Sequence, residues 1–171
     1  MKSRKQYTSE RNSAAPIISN MGHQELISAK ELFSAIEELL AQGRQAACTV
    51  TGMSMWPFLC HDRDRVIVES CDPNTILKGD IVLLQTSLGN YILHRVTKIT
   101  DIGFETTGDG NCFRDGEFPF SCIKAKVVRL IRKGVSIECG SRKWRALSQI
   151  WMNLFPVRKG IFFVWFSIRR V

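Results

Sequence analysis

A chain of 171 residues that is 44% hydrophobic can bury one core and hardly two, so one folded unit with appendages is expected. The net charge of +8 comes from the C-terminal part, where Lys124, Lys126, Arg129, Arg132, Lys133, Arg142, Lys143, Arg145, Arg158, Lys159, Arg169 and Arg170 face Glu138 alone; this block suggests an anionic partner, whether a membrane surface, nucleic acid or an acidic peptide. The cysteines at 48, 60, 71, 112, 122 and 139 form no CxxC pair and no small-secreted-domain spacing, which speaks against a metal cluster or a disulfide framework and reads as free thiols in a reducing compartment.

Residues 1–22 are polar and unpatterned and read as a disordered N-terminus, basic at its start but without the apolar core of a signal peptide. No stretch offers the roughly 18 uncharged apolar residues of a membrane span. The segment HQELISAKELFSAIEELLAQG repeats Leu32, Ile36, Leu39 and Leu40 at helical spacing and ends on Gly43, predicting an amphipathic helix over 23–43. From there the pattern turns to short β-branched runs, CTV, RVIVE, DIVLLQT, NYILHRVTKI, FETTG and IKAKVVRLI, divided by Pro, Gly, Asp and Asn. Residues 44–140 therefore read as a compact β unit. The basic, aromatic tail over 141–171 is partly helical, with RKWRALSQIWMNLF as the helix and Pro156 as a break. Its end, GIFFVWFSIRRV, is too short to span a bilayer; it suits either a membrane interface or a cover over the β unit.

Four segments of the β unit set reactive side chains in turns or strands: TGMSMWPFL, LKGDIVLL, YILHRV and TTGDGNCFRD. A serine hydroxyl such as that of Ser54 is a weak nucleophile and must pass its proton to a base, which histidine provides without assistance near neutral pH. His94 alternates with Ile92 and Val96 on one strand face, while Arg95 points to the other. Asp109, in the GDGN turn, and Asp115, beyond it, are both available to orient the second imidazole nitrogen. Taken singly, a loop serine is usually solvated, a strand histidine is usually a core residue, and the acids of LKGD and TGDG are turn formers.

As an ordered set, however, TGMSMWPFL, DRDRVIVE, LKGDIVLL, YILHRV and TTGDGNCFRD resemble the signal peptidase family and its LexA-like relatives over roughly residues 49–130. The resemblance implies a coiled β-barrel core, with Ser54 as nucleophile. Bacterial members usually carry lysine where this chain has His94, so Ser–His chemistry of the endoplasmic-reticulum and archaeal type is implied, with Asp109 and Asp115 reproducing the spacing of that type's two acids. The chain departs from the pattern in three places. It has Arg63-Asp64 where Gly-Asp is frequent, Gly52 where bacterial members place a hydroxyl that helps bind the oxyanion, and no visible membrane anchor. The oxyanion hole is then expected from backbone N–H groups of the Gly52, Met53 and Met55 region. Met55 is equally suited to the substrate groove and to the core, and Trp56 and Phe58 are expected to close the core beneath the loop.

The expected function is a serine endopeptidase that cleaves a precursor or leader peptide bound extended along a sheet edge, without a metal or cofactor, with an anionic membrane surface as a further partner of the tail. The expected location is peripheral to a membrane or cytoplasmic. Two other classes stand beside it: a LexA-like regulator whose basic tail contacts DNA, for which no helix-turn-helix precedes the β unit, and a catalytically silent peptide-binding module.

Overall fold

The structure, a computed structural model, describes residues 29–168. The expected disordered N-terminus, the first residues of the expected helix (23–28), and Arg169 and Arg170 lie outside the described residues. Helix α1 (Ala29–Ala41) lays Phe33, Ile36 and Leu40 into the core and ends as its sequence predicts. Gly43 takes φ 71°, a conformation that costs a side-chain-bearing residue more, and the N–H groups of Gly43 and Arg44 return to the carbonyls of Leu40 and Leu39.

The β unit contains β1 (Ala46–Thr49), β2 (Arg65–Glu69), β3 (Ile81–Gln85), β4 (Tyr91–Ile99), β5 (Gly103–Thr107), β6 (Gly116–Pro119), β7 (Ile123–Arg132) and β8 (Val135–Glu138). All pairings are antiparallel, in the order β1-β2-β7-β3-β4-β5-β6, with β8 also on β7. Lys126 pairs with both Val82 and Glu69, and Leu130 with both Val66 and Ile137, so β3 and β8 follow one another along the same edge of β7. The mainly β reading holds, but the expected barrel is not closed. The sheet ends at β1 and β6, each only four residues long, and β6 stops at a proline that cannot donate to a further ladder.

Alternation divides the interior. Ile81, Leu83 and Leu93 pack with α1, β1, β2 and β7 on one face, whereas Val82, Leu84 and Val96 pack with Ile76 and Phe104 on the other. The central strands β3 and β4 are thus covered on both sides, and each fully buried aliphatic side chain contributes about 1.5–3 kcal/mol. The tail is helical in two pieces, α2 (Arg142–Asn153) and α3 (Arg158–Ile168), joined by a single turn around Pro156. Ser141 caps α2 by accepting from the Trp144 N–H.

Candidate active site

The chain leaves β1 at Val50 and re-enters the sheet at Arg65. The Val50 N–H donates to the Asp64 carbonyl at 2.9 Å and the Asp62 N–H to the Val50 carbonyl at 2.8 Å, which closes the neck of the loop that carries Ser54. Burial acts to raise the Asp64 pKa. Hydrogen bonds from Arg63 and the Cys60 N–H, the Arg63 charge and the Lys133 N–H outweigh it and hold the carboxyl below its ordinary range. The turn that lacks a glycine at position 63 is made by Asp62, at φ 53° in the left-handed region that aspartate tolerates.

Gly52 is not an oxyanion donor, contrary to expectation, because its N–H already donates to His61 Nδ1 at 3.0 Å. Its φ of 83° turns the chain toward Ser54. Met55 is buried in the main core and belongs to the cavity only as wall, whereas Met53 is 58% exposed at the mouth. Phe58 is buried edge-on to Trp144 and Trp151 as expected. Trp56 instead packs against Phe162, Trp165 and Phe166 of α3. Among the described residues the N–H groups of Met53, Ser54 and Met55 donate no hydrogen bond, which leaves these three to face a developing oxyanion.

His94 is buried in β4, and its Nδ1 lies 2.6 Å from Asp115 Oδ2. The same oxygen accepts from the Thr106 hydroxyl at 2.8 Å, and the Asp115 N–H donates to the Thr106 carbonyl at 3.1 Å. An ionised carboxylate only accepts, so the Nδ1 nitrogen carries the proton and the neutral ring keeps its lone pair on Nε2. Asp115 is therefore the acid that orients His94.

Asp109 serves a different residue. Its carboxylate takes two bonds from the Arg95 guanidinium, at 2.8 and 2.6 Å, with both side chains fully buried. Arg95 also donates to the Gly79 carbonyl and the Ser148 hydroxyl, and lies over Phe58 and Trp144. The expectation of Asp109 as a catalytic acid is thereby corrected: His94 and Arg95 are neighbours on a strand, point to opposite faces, and each takes its own aspartate. The Asp of LKGD is a turn former, with Asp80 Oδ2 accepting from the Leu77 N–H at 2.9 Å and pairing with Lys126 at 2.9 Å.

The GDGN turn is packed directly on the serine loop. The Gly110 N–H donates to the Ser54 carbonyl at 2.7 Å. A Cβ on Gly108 would sit 2.5 Å from the Ser54 carbonyl oxygen, and one on Gly110 would sit 2.7 Å from that of Met53, so both positions exclude side chains. From behind, the buried Arg158 donates to the carbonyls of Gly108, Asn111 and Trp151 at 3.2–3.3 Å and stacks on Trp151 and Phe155. Burial lowers its pKa, against the attraction of Asp109 and with the repulsion of Arg95.

Ser54, His94 and Asp115 line one cavity of about 590 Å³, together with Val50–Met53, Thr86–Leu88, Asn90–Leu93, Phe113 and Arg114. No hydrogen bond joins the Ser54 hydroxyl to His94 among the described residues. Within β4, only Arg95–Ile99 pairs with β5, so Tyr91–His94 has β3 on one edge and no strand on the other among the described residues. That edge, with its main-chain donors and acceptors, borders the cavity.

The chain matches no family model, no curated protein and no solved structure. The site is therefore read from its own geometry. Sequence reasoning missed Thr106, His61 and Arg158. Thr106 stands on β5 two residues before the GDGN turn with nothing in its local pattern to mark it, and His61 had no motif. Arg158 was one cation among twelve after Ile123, and only its burial separates it from the rest.

Proposed function

We propose that this protein is a serine endopeptidase of the signal-peptidase-like type, acting on a precursor or leader peptide. The observation that carries the reading is the convergence of Ser54, His94 and Asp115 on one cavity, with Asp115 bound to His94 Nδ1. Substrate lies extended against the free edge of Tyr91–His94. Ser54 Oγ attacks the scissile carbonyl carbon and gives its proton to His94 Nε2. The C–N bond then breaks, the imidazolium returns the proton to the leaving amine, and water hydrolyses the Ser54 ester by the same base. Asp115 stabilises the imidazolium without taking its proton. We place the chain peripheral to a membrane or in the cytoplasm; no helix among the described residues is long and apolar enough to cross a bilayer.

The missing Ser54–His94 hydrogen bond favours a second reading, a peptide-binding module without turnover. One experiment separates the two: purified protein is incubated with candidate precursors, and new termini are read by mass spectrometry. Turnover that disappears in both Ser54→Ala and His94→Ala supports the peptidase. Peptide binding without any new terminus supports the module, and turnover surviving either substitution refutes the Ser–His assignment.

A further inference from the structure

Helix α3 carries large apolar side chains nearly all round. Phe162, Trp165 and Phe166, at i, i+3 and i+4, turn toward Trp56 beside the serine. Ile161, Val164 and Ile168, at i, i+3 and i+7, make a second stripe that is exposed, and Phe163 beside it is 74% exposed. A cluster of this size and continuity on a water-facing helix marks a binding surface. The helical tail that carries it is cationic: Arg142, Lys143 and Lys159 are exposed on α2 and α3, Arg145 reaches Asp80 at 3.5 Å, and the one acid after Ile123, Glu138, is already paired with Arg129. At about 1.5 Å per residue, eleven residues extend about 16 Å, half the hydrocarbon thickness, so the helix can lie in an interface and cannot cross it.

The geometry points to α3 as an in-plane anchor that seats the protein on an anionic bilayer, with Ile161, Phe163, Val164 and Ile168 at acyl depth and the α2–α3 cations at the headgroups. The charge complement selects a bilayer with anionic headgroups over a second copy of this chain, whose own face would be equally positive. Because Trp56 rests on the opposite side of the same helix, seating α3 puts the Ser54 cavity next to the membrane surface. This inference stands independently of turnover at Ser54.

The test is co-sedimentation of the full chain with vesicles of phosphatidylcholine alone and of equal parts phosphatidylcholine and phosphatidylglycerol, in 50 and 500 mM salt, with tryptophan emission followed in parallel. Binding to the anionic vesicles should exceed binding to the neutral ones at least tenfold at low salt, weaken in high salt, and shift emission to the blue. Phe163→Glu and Val164→Glu, both on exposed positions, should keep the wild-type circular dichroism and melting temperature and lose at least tenfold in vesicle binding. The inference is overturned by wild-type protein that stays in the supernatant at low salt, by equal binding to neutral vesicles, or by folded Glu variants that bind like wild type. A dimer that Phe163→Glu dissolves, found without vesicle binding, would assign the face to a second copy instead.

Discussion

Two aspartates six residues apart are expected to fail in opposite ways when each is changed to asparagine. Asp109 and Arg95 are both fully buried and joined by two short bonds, so Asp109→Asn leaves a guanidinium charge without its counter-ion in the core. Breaking a buried pair by removing one partner costs about 3–5 kcal/mol. At about 2–4 °C per kcal/mol for a chain of this size, the melting temperature should fall by roughly 6–20 °C, toward the lower end because the asparagine carbonyl still accepts one N–H. Asp115→Asn removes a charge-assisted bond at the rim of a cavity, worth about 1.5–3 kcal/mol at most, so its melting temperature should move less. Its effect should appear in turnover instead. The amide can donate to Nδ1 and stabilise the wrong tautomer, and kcat should drop by about 10⁴-fold. Differential scanning calorimetry and single-substrate kinetics on the two proteins provide both readouts. A kcat collapse in Asp109→Asn with an unchanged melting temperature, together with a strongly destabilised but active Asp115→Asn, would refute the assignment of the two acids.

Gly110→Ala should cost about 1–3 kcal/mol, or roughly 2–12 °C, because its Cβ meets the Met53 and Trp56 carbonyls at 2.7 and 3.0 Å, while Gly140→Ala, with nothing within 4 Å, should melt like wild type; equal melting curves would remove the packing argument. The folded Asp64 pKa lies below its unfolded value, so its stabilisation is present above the ordinary carboxylate range near 4 and is lost as pH falls through the lower, folded value. Melting temperature against pH should accordingly decline in acid for wild type and more shallowly for Asp64→Asn, with parallel curves as the contrary result. Burial pushes the Cys48 and Cys139 thiols up to about 12, which depletes thiolate at pH 8; iodoacetamide should alkylate both on the order of a thousandfold more slowly in native than in denatured protein, as read by peptide mass spectrometry, and similar rates would contradict their burial.

The same physics explains what could be read from the sequence. Runs of alternating or continuous β-branched residues mark burial, and burial is what β2, β3, β4 and β7 have, so these strands stood out. Strands β6 and β8 have mostly exposed side chains and four residues each, so their pattern is too short to separate from a loop. Ser54 and His94 line one cavity, but periodicity reports which face a residue occupies and never which partner it meets. The pairing of strands across the sheet supplies that information, and it lies in no local window.

The choice between Asp109 and Asp115 was nonetheless partly encoded. Arg95 follows His94, and a strand sends adjacent side chains to opposite faces, so one acid cannot serve both. Both faces of β4 are covered, with Leu93 in one core cluster and Val96 in the other, so the face that Arg95 shares with Leu93 is buried as well. An arginine on that face must find a counter-charge, because an unpaired guanidinium in the core would cost more than the fold could sustain. Two acids on the one connection between β5 and β6 and two needs on one strand therefore imply one acid for each. Which acid goes to which face follows from chain geometry. Gly108, Asp109 and Gly110 are clamped against the Ser54 loop beside α2 and α3, where Arg95 points, and the chain must pass that clamp before Asp115 can pair back with Thr106 on the side of His94.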